Sequence, residues 1–480
     1  MSTSAKATVL AGFLALVVAV SLVGPADAAS APLSPYHEPP WLVVRGQPLT
    51  LAYALVDRAV TGTAYVRNDL QKTFTRVPLT WGRYCPGDAV DAPAMRRDKV
   101  CGDALLAHVP AKLIAGSKLF YYAVLRDGAG GRSVTVPSGG AAGPQRVWIV
   151  QRLSRVSLGV HHFGHLRAAD ATVAQAGPTD VGVVCCSDPP GGDGPSSFDV
   201  APDGSTWMLD RLGHRLLVWQ HGRPERFARA IPLPRKLSIA DFALGPDGTI
   251  YARAVDTADL GRGSKSHLYA LTPTGRIRWQ APATAGIGTA QLQIGPDRRL
   301  YAAQACGGSC APFGGHTSWT PLTTRPGRPL SLHDRRSEAS PFEPLSGGLR
   351  LVSQLSYSVA RFALIDRSDR IVRAWQVTSR TRLGAMPAAP ALVDGDLVVP
   401  LEVTQGARYE QQIVRLAPNG VRRQFALSDR PVLGDAIPFL PMRIGADGSL
   451  YQLQTSVTTG ARIARYSLGA STSTQFECGG

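Results

Sequence analysis

Pro202-Asp203-Gly204-Ser205-Thr206-Trp207 returns as Pro246-Asp247-Gly248-Thr249-Ile250-Tyr251, as Pro296-Asp297-Arg298-Arg299-Leu300-Tyr301 and as Ala446-Asp447-Gly448-Ser449-Leu450-Tyr451. A fainter copy is Val393-Asp394-Gly395-Asp396-Leu397-Val398, and a still fainter one is Ser346-Gly347-Gly348-Leu349. An Asp-Gly pair between apolar runs is a strong tight-hairpin signal, because glycine reaches left-handed backbone angles without a Cβ clash. Before each turn the apolar residues alternate: Phe198 and Val200, Phe242 and Leu244, Leu292 and Ile294, Met442 and Ile444. They keep one parity, so one face of each strand is set to pack against a neighbour. A third strand is legible in Arg215-Leu216-Leu217-Val218-Trp219, His267-Leu268-Tyr269-Ala270-Leu271, Arg361-Phe362-Ala363-Leu364-Ile365 and Gln412-Ile413-Val414-Arg415-Leu416.

The copies recur at roughly 44 to 53 residues, a length that fits four strands and their turns in one blade of a β-propeller. Six copies fit. The spacing predicts an all-β fold with a six-bladed β-propeller over 196–480, its fourth blade the least regular because its turn is degenerate. Phe198-Asp199-Val200-Ala201-Pro202-Asp203-Gly204, followed by Leu209-Asp210 and His214-Arg215, resembles an NHL-type blade. Leu268-Tyr269-Ala270-Leu271-Thr272-Pro273-Thr274-Gly275-Arg276-Ile277-Arg278-Trp279 is similar to a quinoprotein-type blade. These resemblances imply the hairpin construction of a propeller and no particular activity.

Ahead of the repeat, 39–150 reads as short alternating strands: Leu49 to Val56, Thr63 to Arg67, Phe74 to Leu79, Leu105 to Val109, Leu119 to Arg126, Arg132 to Val136 and Arg146 to Val150. Seven short strands in so few residues predict a β-sandwich. Phe120-Tyr121-Tyr122-Ala123-Val124 and Ser133-Val134-Thr135-Val136-Pro137, joined through Asp127-Gly128-Ala129-Gly130-Gly131, resemble the last hairpin of an immunoglobulin-like or fibronectin-like domain. Residues 151–195 read as a linker and the loop leading into the propeller. Within them, His161-His162-Phe163-Gly164-His165 could present two imidazoles to a metal if helical, but Gly164 and the apolar flanks favour an extended connector.

The N-terminus carries Lys6, an apolar run from Ala7 to Gly24, then Pro25 and Ala26-Asp27-Ala28. That is the form of a secretory signal, 1–28, preferred to a membrane anchor because Pro25 and an Ala-x-Ala site follow it. The expectation is a secreted, extracellular protein with no membrane attachment after cleavage. Cysteines outside the cytosol pair. The expected bridges are Cys85 with Cys101, and Cys306 with Cys310 in preference to a zinc half-site, which would need a second ligand pair. Cys478 is expected to pair with Cys186 or Cys185, tying the ring shut; the competing arrangement joins Cys185 to Cys186.

The net charge is +16, and nearly all of the positive charge is arginine, scattered along the chain. Short clusters such as Arg96-Arg97 and Arg335-Arg336 lack the length and interleaved aromatics of a specific nucleic-acid stripe. The same charge would favour an anionic polymer of the cell envelope. Gly-x-Ser-x-Gly, His-Glu-x-x-His and phosphate-loop patterns are absent from the sequence. Gluconolactonase-like propellers hold a cation in their channel with carboxylate and asparagine ligands, yet this chain has only Asn68 and Asn419. Opposite the apolar parity of the first strands lie Asp199, Asp241, Gln291, Gln293 and Arg443. These are the candidate channel-lining, ligand-binding residues, with cross-blade hydrogen bonding as the competing role. No catalytic residue, metal ligand or cofactor is assigned. The sequence therefore points to a non-enzymatic binding or scaffold protein with an extracellular partner, the alternative being a cation-dependent hydrolase or lyase.

Overall fold

The computed structural model describes residues 35–37, 39–55, 59–84, 102–128, 131–184, 193–256, 266–283, 291–304, 318–325, 327–338, 342–355, 358–384, 386–418, 420–428 and 441–468. All seven cysteines, and with them every expected disulfide and the secretory signal, lie outside these residues.

The N-terminal part is two sheets face to face. One has the order Leu42–Val44, Gln145–Val150, Lys118–Asp127, Val60–Asn68, Thr75–Pro78, with Ser133–Val136 also paired to Lys118–Asp127. The other has the order Leu49–Ala54, Gly102–Val109, Thr80–Tyr84. Along Lys118–Asp127 every second residue is buried, the period that a half-buried strand imposes. Leu51, Tyr53 and Leu105 of the smaller sheet share a core with Ala64, Val66, Leu119 and Tyr121 of the larger. Each of the seven stretches read as a strand overlaps one, with at least one end that differs by a residue or more; Val56 lies outside the described residues. The sequence reading missed Leu42–Val44 and Thr80–Tyr84. The latter follows Pro78, which has no N–H to donate; there the chain leaves one sheet for the other.

Six further sheets follow in chain order among the described residues: sheet 1 (197–232), sheet 2 (237–282), sheet 3 (291–321), sheet 4 (343–378), sheet 5 (382–428) and sheet 6 (442–467). Their strands pair with their sequence neighbours in antiparallel meanders, except that in sheet 5 both Arg382–Leu383 and Ala391–Val393 pair with Asp396–Gln405. The repeated turn has one geometry. Gly204 N donates to Ala201 O and Ala201 N to Ser205 O, both at 2.9 Å, and the pattern returns at Gly245–Thr249, Gly295–Arg299 and Gly445–Ser449. Gly204, Gly248 and Gly448 sit at φ of 80°, 77° and 72°, which explains the glycine. In the third copy Arg298 takes the same region at 65°. Sheet 5 uses a tighter two-residue turn, Asp394 and Gly395, between the paired Val393 and Asp396. In sheet 4 the first strand shrinks to Glu343–Pro344 and the turn becomes a short 3-10 helix, Ser346–Gly348.

The 151–195 segment is more than a linker. Ser154–Ser157 adds in parallel to Ile371–Thr378 at the edge of sheet 4. Ala171–Ala176 adds antiparallel to Gly460–Ser467 and so completes sheet 6 with residues that precede sheet 1. The outer edge of sheet 6 is thus taken by Ala171–Ala176. Free strand edges expose unpaired N–H and C=O groups, and both added strands cover such an edge.

The sheets stack face to face, in the arrangement of propeller blades. Apolar clusters join sheet 1 to 2, 2 to 3, 4 to 5, 5 to 6 and 6 to 1. The remaining face of sheet 4, with Val352, Ala363, Ile365 and Ala374, is instead covered by Trp41, Leu42, Trp148 and Val150 of the sandwich. Lys118 Nζ reaches Asp369 of sheet 4 at 2.6 Å, with Arg146 and Arg350 each 3.2 Å from the same carboxylate.

Candidate functional site

The first strands of the six sheets meet their hairpin partners in matching registers. Asp199 faces Trp207, Ala243 faces Tyr251, Gln293 faces Tyr301, Glu343 faces Leu351, Ala391 faces Val398 and Arg443 faces Tyr451. Counted from the turn, these six residues occupy one layer of the inner strands. Asp241 and Gln291 lie two residues earlier, in the next layer.

Arg443 dominates the first layer. Its Nε donates to Phe198 O at 2.6 Å, and its Nη2 to Phe242 O at 3.0 Å and Leu292 O at 3.3 Å. Phe198, Phe242 and Leu292 are repeat-equivalent residues of sheets 1, 2 and 3. One guanidinium therefore binds the same carbonyl of three consecutive sheets, which its planar fork of donors permits and an ammonium would not. Asp199 Oδ1 lies 3.6 Å from Arg443 Nε.

Both aspartates are spent on backbone. Asp199 Oδ2 accepts Leu244 N at 2.9 Å, in the first strand of the next sheet. Asp241 repeats this one sheet further on, accepting Leu292 N at 2.6 Å, together with Phe242 N and the Ser197 hydroxyl. Burial pushes the Asp241 carboxyl up, opposed by the charge of Arg443 and the Ser197 and Leu292 hydrogen bonds. Each aspartate thus staples its own sheet to the next. Gln291 and Gln293 are half-buried and stand in the two layers without side-chain hydrogen bonds among the described residues.

The sequence reading missed Glu343. It is 5% exposed, burial drives its carboxyl well above the ordinary range, and no partner for it is found among the described residues. The signal was present in its place before the turn, at the spacing of Asp199 and Arg443. The degenerate Ser346-Gly347-Gly348 turn hid that alignment. The histidine-rich stretch serves as a clamp. His161 Nε2 meets Glu410 Oε2 at 2.7 Å, and Glu410 Oε1 accepts Gly164 N at 2.7 Å. Among the described residues no group of three or more His, Cys, Asp or Glu side chains converges as a metal site.

No family model matches the chain, and no curated protein sequence matches it. Among solved structures it is similar to a streptogramin B lyase, with a TM-score of 0.30 and 11% identity over 73% of this chain and 90% of that one. It is similar also to the β-propeller domain of the trilobed protease from Pyrococcus furiosus, TM-score 0.27 and 6% identity over 91% and 96%. An endo-arabinase from Bacteroides thetaiotaomicron gives 0.30 and 9% over 63% and 99%. Likenesses this low carry no argument about activity. The sheets themselves define a propeller-like all-β protein whose inner strands are tied by Arg443, Asp199 and Asp241.

Proposed function

We propose that the chain is an exported, non-enzymatic binding or scaffold protein. In this reading sheets 1 to 6 are the blades of a six-bladed propeller, the preceding sandwich is an immunoglobulin-like spacer, and the ligand is an anionic polymer of the cell envelope. The observation that carries it is the use of Arg443 on the carbonyls of Phe198, Phe242 and Leu292. The central cation holds backbone, as do the two aspartates, so the inner layer is occupied in construction. The net charge of +16 supplies the long-range attraction to a polyanion.

A second reading, a cation-dependent hydrolase or lyase, draws on Glu343, a buried carboxyl without a described partner in the inner layer. Two measurements separate them. The purified protein is titrated with immobilised anionic envelope polysaccharide over a range of NaCl, and it is incubated with lactone and ester substrates with and without EDTA. Salt-sensitive binding without turnover is the expected result. Turnover abolished by EDTA overturns it.

A further inference from the structure

The outer face of the six-stranded sandwich sheet carries cations and aromatic rings in adjoining registers. Tyr65 faces Tyr122 across the strands and Arg76 from the sheet edge, while Arg67 faces Phe120, which in turn faces Arg146. Tyr65 and Tyr122 stack with centroids 4.7 Å apart and planes 5° from parallel. Phe74 meets Tyr122 edge-on at 5.1 Å. The Arg67 guanidinium lies 4.7 Å from the Phe120 ring and 5.1 Å from Phe74, and that of Arg76 5.9 Å from Tyr65. All of these side chains are half-buried or exposed, whereas the alternate residues Ala64, Val66, Tyr121 and Ala123 fill the core.

Arginine on aromatic rings can stabilise a solvent-facing sheet by itself, at about 0.5–1 kcal/mol per pair. Two features go beyond that. The outward registers of the strands Val60–Asn68, Lys118–Asp127 and Gln145–Val150 hold no acidic residue, so the cations repel one another with no carboxylate of their own face to offset it. The same face is also continuous with an established interface: at its other end Lys118 and Trp148 dock on sheet 4. The part around Tyr65 and Tyr122 extends that docking surface with no cover among the described residues.

We propose that this uncovered part, Tyr65, Arg67, Phe74, Arg76, Phe120 and Tyr122, binds an acidic polysaccharide. The inference rests on the proposed reading that the ligand is an anionic polymer, and it assigns the surface and the chemistry. Arg76, Arg67 with Tyr65, and Tyr122 with Phe120 stand on three adjacent strands that span two strand spacings, about 10 Å, which suits an extended polyanion lying across the strands. The ring faces of the tyrosines are occupied, by each other, by Arg76 and by Phe74, so no open platform remains for stacking nucleobases. Their hydroxyl edges remain, without protein partners among the described residues. Hydroxyls beside guanidinium groups match a chain of hydroxyl-bearing rings with carboxylates.

The test is biolayer interferometry of the full chain on polygalacturonate, on its fully methyl-esterified form and on oligothymidylate. The native protein is expected to bind polygalacturonate in a salt-sensitive way and the neutral ester at least tenfold more weakly. Arg67→Gln/Arg76→Gln is expected to lose at least tenfold in affinity while remaining folded, with a melting temperature lowered by only a few degrees through the lost ring contacts. Tyr122→Phe, which removes one hydroxyl, should lose about threefold, and the exposed propeller pair Arg223→Gln/Arg226→Gln should bind as the native protein does. If polygalacturonate binds but is lost in the propeller pair and kept in the sandwich pair, the surface is wrong while the anionic-polymer reading stands. Tighter binding of oligothymidylate overturns the polysaccharide. Absence of binding to either polyanion overturns both readings.

Discussion

Arg443 Nε donates to Phe198 O at 2.6 Å across 245 residues of sequence. Sheet 6 is thereby tied to sheet 1 on the inner side, as Ala171–Ala176 ties it on the outer side. Arg443→Met removes three hydrogen bonds, takes the ion-pair partner from Asp199 and takes from buried Asp241 the charge that most opposes its desolvation. Breaking a buried ionic arrangement from one side costs about 3–5 kcal/mol, so the urea midpoint should fall by that equivalent. Arg443→Lys should recover little, because an ammonium cannot reach three carbonyls in one plane. A native-like midpoint for Arg443→Met would refute the structural role.

Asp369 holds the sandwich to sheet 4 through Lys118, Arg146 and Arg350. Burial raises its carboxyl, but the Lys118 hydrogen bond and the charges of Arg146, Lys118 and Arg350 outweigh this and leave it below the ordinary value. A lowered folded pKa means that the contribution is complete above the unfolded value and is lost as pH falls through the folded one. Asp369→Asn should cost about 1–2 kcal/mol near neutral pH. The difference from the native protein should shrink in 1 M NaCl and at strongly acid pH, as read by urea denaturation under each condition.

His37 sets a second pH dependence of the opposite group type. Its Nδ1 lies 2.7 Å from Ala52 O, an acceptor only, so Nδ1 carries the proton and Nε2 accepts the Tyr121 hydroxyl at 2.7 Å. Burial, only partly opposed by the Ala52 hydrogen bond, lowers its pKa from 6.5 to about 4. The unfolded chain then binds the extra proton between these values, so stability present above the unfolded pKa is lost as pH falls. The linkage amounts to about 2 kcal/mol between pH 7 and pH 5. His37→Phe should flatten this slope while costing stability at pH 7, where Ala52 O and the Tyr121 hydroxyl lose a partner; an unchanged slope would contradict the assignment.

Ala174 on the strand Ala171–Ala176 is fully buried between sheets 6 and 1, in a cluster with Phe198 and Leu453. Ala174→Asp places a carboxylate there without a cationic partner in that cluster. Desolvation should lower the melting temperature by more than the roughly 2 °C expected of a 1 kcal/mol loss in a unit of this size. Amide exchange should accelerate first in Gly460–Ser467, which loses its edge partner. If that strand stays protected, the closure by Ala171–Ala176 is not what holds it.

The hairpins were legible because their causes are local. Asp203-Gly204, Asp247-Gly248 and Asp447-Gly448 name a turn by its backbone angles, and the alternation of Phe198 and Val200 names a buried face, so sequence alone marks the strands and their period. It also marked Asp199, Asp241 and Arg443 as standing opposite that face. What sequence could not decide was the use of those residues, since a carboxylate before a turn reads the same whether it meets a ligand or Leu292 N. It could not show that Ala171–Ala176 would complete sheet 6, or that Trp41 and Trp148 would cover sheet 4. Those choices depend on which strand edge or apolar face remains uncovered once the sheets stack, a long-range competition that no local pattern encodes. Sequence fixes what each strand can bury and bond; the tertiary structure decides which partner it finds.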